Sequence, residues 1–226
     1  CGGDPGAMAP VSNVCIKYFD IKGKAEYVRL AFAIGGVDFT DERVPFAEWK
    51  ETKPNMRWHY LPELTLTNAE GEQVTVGQSN AILRFAGKLT GLYPSDDVEA
   101  LMVDEILEAI EDARTPIRAS LQEKDVEKKE AMRAELATET IPYWLRLFEA
   151  RAVENGSNGC ICGPSLTIAD LALYVLCNWL SSGILDGIPT TILEPYEGIN
   201  KIVAAVAGHP KVAEFEKGVA ERQAAA

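Results

Sequence analysis

The sequence predicts a small α/β domain followed by an all-helical domain, on three observations. Up to about Lys88, short stretches of alternating apolar and polar residues are interleaved with helix-period segments. Beyond about Asp97 the alternation stops and only steps of three and four residues remain. The length of 226 residues, at about 150 per domain, leaves room for one or two domains.

Val14-Cys15-Ile16-Lys17-Tyr18-Phe19 reads as a short strand ending at Asp20 and Gly23. Tyr27, Leu30, Ala31 and Ile34 then mark one face of a helix closed by Gly35-Gly36. Val37 to Val44 returns to strand composition, and Pro45 to His59 is irregular. Leu64 and Leu66, a turn at Asn68 to Gly71, and Val74 and Val76 form a hairpin. Gln78-Ser79-Asn80 caps a helix from Ala81 to Thr90, and Gly91 stops it. The order is β-α-β-(irregular)-β-β-α.

In the second half, Val103, Leu107, Ile110, Arg114, Ile117 and Leu121 share one face of a long helix, with Pro116 expected to kink or end its first segment. Met132, Leu136, Thr140, Tyr143, Leu147 and Ala150 predict a second helix kinked at Pro142. Asn155 to Ser165 is a Gly-rich loop. Thr167-Ile168-Ala169-Asp170 is a capping box, flanked by Leu166 and Leu171 at the staple positions. Its helix runs to about Ser181, and two shorter helices follow near 199–207 and 210–221. The expected division is a disordered tail or cloning remnant over 1–10, an α/β domain over 11–90, a linker over 91–97 and a helical domain over 98–226.

The net charge of −12 argues against nucleic acid or an anionic membrane as partner, since both demand clustered Lys and Arg. No apolar run approaches the roughly 20 residues that span a bilayer. The five cysteines lack a paired spacing, which favours a reducing, cytoplasmic setting over a disulfide framework. Cys160 and Cys162 have no second pair to complete a zinc site, so no metal is expected there. Cys15 reads as a small core residue.

Four segments carry a resemblance: Tyr18-Phe19-Asp20-Ile21-Lys22-Gly23-Lys24-Ala25-Glu26, Leu61-Pro62, Gln78-Ser79-Asn80-Ala81-Ile82 and Leu166-Thr167-Ile168-Ala169-Asp170. In that order and spacing, the chain from Val14 to Glu221 resembles the cytosolic glutathione transferases, tyrosine-type, the sigma class most of all. The resemblance implies a thioredoxin-like N-terminal domain that binds glutathione as co-substrate. It also implies a helical domain lining an electrophile pocket, and a homodimer.

The chemistry so implied attacks small hydrophobic electrophiles with the glutathione thiolate, a detoxification reaction. A free thiol has a pKa near 8.5, and lowering it by about two units requires roughly 2.7 kcal/mol. One hydrogen bond to a charged acceptor contributes about 1.5–3 kcal/mol, and a helix N-terminus adds about 0.3–1. Tyr18, at the end of the first strand, is therefore sufficient as the catalytic donor to sulfur.

By the same resemblance Gln78 and Ser79 hold the γ-glutamyl carboxylate at a helix start. Leu61, before a cis Pro62, offers its backbone to the cysteinyl segment. Trp49 and Lys53 fall where sigma-type members contact the glycyl carboxylate. Lys24, also expected to bind glutathione, stands where the family often has arginine, keeping the charge but losing the bidentate fork. Tyr60 departs from the Lys or Gln usual before the apolar residue and its proline. Asp112 matches the acid that reaches the ammonium from the partner subunit. With Glu108 and Glu111 it lies on one helix face, a spacing that permits a divalent cation across a dimer axis. Two alternatives remain: a sigma-type prostaglandin isomerase, and a non-catalytic structural or assembly module of the same family.

Overall fold

A computed structural model describes residues 11–224, so the tail expected over 1–10 lies outside the described residues. The chain divides between Tyr93 and Pro94 into two compact units.

In the first unit, β1 (Ser12–Phe19) is central and buries Val14, Ile16 and Tyr18 on one face, the period-two pattern of a half-buried strand. Helix α1 (Glu26–Gly35) carries the chain to β2 (Thr40–Val44), which pairs with β1 in parallel. A parallel neighbour needs such a crossover, and α1 ends where Gly36 takes φ +66°. Next come the one-turn helix α2 (Trp49–Thr52) and the hairpin β3 (Glu63–Thr67) and β4 (Gln73–Gly77). The sheet order is β2-β1-β3-β4, with β1/β3 and β3/β4 antiparallel. Helix α3 (Ser79–Thr90) closes the unit and packs against α1. The predicted strand at 37–44 begins at Thr40, and the predicted helix at Ala81 begins two residues earlier.

The second unit is helical throughout: α4 (Asp97–Gln122), α5 (Val126–Glu135), α6 (Ile141–Glu154), α7 (Ile168–Leu180), α8 (Glu197–Ala207) and α9 (Pro210–Ala224). An α/β unit followed by a helical one is the predicted fold class. Pro116 does not end α4, which runs on to Gln122, and Leu121 is 48% exposed while Ser120 is fully buried. The Ser120 hydroxyl can take that place because it donates to the Ile117 carbonyl at 2.7 Å.

The helix face predicted over 132–150 is wrong in its second part. A π turn at Leu136–Thr140 precedes Pro142, with the Ile141 N–H reaching back five residues to the Leu136 carbonyl. Proline has no N–H for the ordinary ladder, and the wider turn accommodates it. The extra residue advances the buried stripe by about one position. Ile141, Leu145, Phe148 and Ala152 are buried, whereas Tyr143 and Leu147 are exposed.

The capping box at α7 forms as predicted. The buried Asp170 carboxylate accepts the Ile161 N–H at 2.6 Å, the Thr167 N–H at 2.7 Å and the Thr167 hydroxyl at 3.0 Å. It thereby ties the Gly-rich loop to the start of a helix that is buried along most of its length.

Candidate active site

Tyr18 stands at the C-terminal end of β1, 8% exposed. After Phe19 the chain turns sharply, with the Ile21 N–H bonded to the Phe19 carbonyl at 2.7 Å. Gly23 then adopts φ +48° against the Tyr18 ring, where a Cβ would lie 2.7 Å from both Cε1 and the hydroxyl oxygen. Only glycine accepts both the left-handed backbone and that approach. The turn aims the Lys24 N–H at the Tyr18 hydroxyl oxygen, 3.2 Å away. The phenol thus accepts one hydrogen bond, and its own proton remains to donate.

Sequence reasoning missed what holds this turn. Arg29 on α1 is completely buried, and its Nη1 donates to the Ile21 and Lys22 carbonyls at 2.9 and 3.3 Å and to Glu26 at 3.1 Å. Its Nε donates to Asp41 at 2.9 Å; Arg43 bonds the other oxygen of Asp41 and also Asp20. Burial pushes the Glu26 carboxyl above its usual range, against the pull of Arg29. The Arg29 guanidinium also lies 5.9 Å from the centroid of the Tyr18 ring. The only available signal was the i,i+3 spacing of Glu26 and Arg29; Asp41 is twelve residues away.

The remaining predicted residues of the first unit fall in two groups. Trp49, half-buried on α2, packs edge-on to Phe19 at 5.0 Å, and Phe19 stacks on Phe46 at 4.7 Å. Lys53 is exposed, its ammonium 5.8 Å from the centre of the Tyr60 ring, so the two residues in question at the glycyl end meet each other. The Leu61–Pro62 bond is cis and leads directly into β3. Gln78 is exposed at φ +76°, and Ser79 is the buried first residue of α3. Neither side chain caps the helix, contrary to the capping role expected of Ser79. Ser79 sits inside the helix, and the bend falls on Gln78. Trp58, also unforeseen, lies over Gly77 beside this start; a Cβ on Gly77 would be 2.5 Å from the indole.

In the helical unit, Glu108 and Asp112 are exposed on α4 and Glu111 is half-buried. Among the described residues no three His, Cys, Asp or Glu side chains gather as a metal site. A cavity of about 10 Å³ among Ala113, Ile117, Ile141, Trp144, Leu145, Phe148, Leu176 and Leu180 has room for about one water. Burial pushes the thiols of Cys160 and Cys162 up to about 11, with the Asp170 charge adding to the effect. Cys15 is not a core residue. It shares the outer face of β1 with Lys17 and is half-exposed, 3.8 Å from Glu42.

A family model, glutathione S-transferase, C-terminal domain, matches residues 111–218. Glutathione S-transferase S1 of Drosophila melanogaster is 31% identical over 189 residues, covering 84% of this chain and 72% of that protein. The chain belongs to the glutathione S-transferase family. This transferase is also 27% identical to S-crystallin SL11 of Nototodarus sloanii, over 88% of its own length and 93% of the crystallin. The solved structure of a prostaglandin synthase D of Nilaparvata lugens superposes with a TM-score of 0.80 at 25% identity, covering 91% of this transferase and 97% of that chain. Among its described residues, no helix is long and apolar enough to cross a membrane.

Proposed function

We propose that this transferase is a tyrosine-type, sigma-like, cytoplasmic homodimer that conjugates glutathione to small hydrophobic electrophiles. The observation that carries the reading is the Tyr18 hydroxyl, which accepts the Lys24 N–H and keeps its own proton free to donate. The thiol proton of glutathione leaves to solvent, and the phenol then donates to the sulfur anion. That sulfur attacks an electrophilic carbon; with an aryl halide, halide departs.

The uncapped start of α3 suits the γ-glutamyl carboxylate, because its first N–H groups lack a side-chain acceptor. Gln78 and Ser79 serve that end, and Leu61, next to Pro62, serves the cysteinyl backbone. Trp49 and Lys53 serve the glycyl carboxylate, with the Tyr60 ring beside the Lys53 ammonium, and Lys24 contributes a positive charge to glutathione binding. Asp112 of the partner subunit meets the ammonium.

Replacing Tyr18 by phenylalanine tests the reading: conjugation of a generic aryl halide falls about 10- to 100-fold in kcat/KM, the worth of one charged hydrogen bond. An unchanged rate overturns it. Two further readings have a specific likeness behind them. Prostaglandin isomerisation is favoured by the resemblance to the Nilaparvata lugens synthase, and a non-catalytic role by the resemblance to the crystallin. Turnover of an endoperoxide in place of an aryl halide selects the first. Failure to bind immobilised glutathione selects the second.

A further inference from the structure

Arg114, on α4, is 5% exposed, and its Nε and Nη1 are sealed from solvent with no hydrogen-bond partner among the described residues. Its guanidinium carbon sits 5.1 Å from the centre of the Trp179 ring on α7. A buried cation is costly unless a carboxylate or several acceptors meet it. Arg29, whose Nη2 is likewise buried without a partner, still has two carboxylates and two carbonyls around its other nitrogens. Arg133 also has unpartnered Nε and Nη1; burial pulls its pKa down, and the Asp186 carboxylate opposes that pull. Arg114 has an aromatic face instead of an anion.

An aromatic face attracts a guanidinium without taking up its N–H groups, which are left for a ligand. Nη2 forms one edge with Nε and the other with Nη1, so a carboxylate arriving at Nη2 reaches an unpaired nitrogen whichever edge it takes. Apolar residues of the same two helices, Ala113, Ile117, Leu176 and Leu180, lie one or a few positions away in the chain. The chemistry that matches is one negative group on an otherwise apolar molecule.

We propose that Arg114, braced by Trp179, recognises a carboxylate on the electrophile, so that this transferase prefers apolar electrophiles bearing one carboxylate to their uncharged counterparts. The proposal rests on the reading that the helical unit lines the electrophile pocket.

The test pairs 1-chloro-2,4-dinitrobenzene with 4-chloro-3,5-dinitrobenzoate, which undergo the same displacement of chloride by sulfur. Arg114→Met lowers kcat/KM for the benzoate about 10- to 100-fold and for the neutral substrate less than about threefold. Arg114→Lys, which keeps the charge without the fork, falls between. Equal losses on both substrates, or none on the benzoate, overturn the proposal. Calorimetry without glutathione supplies a readout independent of turnover. Wild type binds 3,5-dinitrobenzoate at least about tenfold tighter than 1,3-dinitrobenzene, and Arg114→Lys weakens that preference. A wild-type protein without the preference also overturns it. Preferential binding without turnover of either substrate keeps the anion site and removes the transferase reading.

Discussion

Asp170→Asn is the most informative perturbation of the fold, because one side chain joins a loop to a buried helix. In the native protein Asp170 satisfies two backbone N–H groups and one hydroxyl. Asparagine keeps an acceptor for Ile161 but turns an amide toward Thr167, stranding that N–H at a cost of about 1–3 kcal/mol. The loss at about pH 7 is therefore about 2 kcal/mol.

The effect of pH then has a definite sign. Burial pushes the Asp170 carboxyl up to about 6, above its ordinary 3.8 and against the four hydrogen bonds, its own backbone N–H among them, that pull it down. A group whose pKa is higher in the folded state contributes stability that is complete below the unfolded value and is lost as pH rises through the folded one. Between about pH 7 and pH 4.5 the wild-type protein thus gains about 2 kcal/mol from this group, and asparagine gains nothing. Urea unfolding of both proteins, followed by circular dichroism, gives the difference at each pH. The expected penalty is about 2 kcal/mol at about pH 7 and about 4 at about pH 4.5. A penalty that shrinks as pH falls would refute the reasoning, since the donors, not burial, would then dominate the carboxyl.

Gly23→Ala forces a Cβ against the Tyr18 hydroxyl at φ +48°, so conjugation drops at least about tenfold while the melting temperature falls only a few degrees; steady-state kinetics and thermal melts check both. Arg29→Met leaves Asp41 and Glu26 without their buried cation and costs about 3–5 kcal/mol, read from denaturant unfolding. Among the described cysteines, alkylation of the native protein near pH 7 labels the half-exposed Cys15 ahead of Cys160 and Cys162 and spares Cys177, which is fully buried with its thiol pushed up to about 12; mass spectrometry of the peptides gives the order.

The legible parts of the fold are those with local causes. Alternation marked β1 and the hairpin, Gly36 marked the end of α1, and Thr167 with Asp170 marked the start of α7. The phase of the buried stripe beyond Thr140 was not legible, because a π turn adds a residue that no simple period carries. Tyr18, Gln78 and Ser79 could be picked out by motif, but the Arg29–Asp41–Arg43 network could not, since its members meet only when β2 pairs with β1. The same holds for Lys53 and Tyr60, each weak alone and informative only as a stacked pair. Cys15 was misplaced because it is half-buried beside Glu42, a partner from the neighbouring strand.

The claim on which the proposed chemistry turns is that a single phenol keeps the sulfur of bound glutathione ionised. Ultraviolet difference titration of the thiolate, in the binary complex with wild type and with Tyr18→Phe, measures this without any electrophile. The wild-type complex should titrate about two units below the free thiol's 8.5, and the phenylalanine variant close to that free value. Coincident titrations for the two proteins would contradict the assignment of Tyr18.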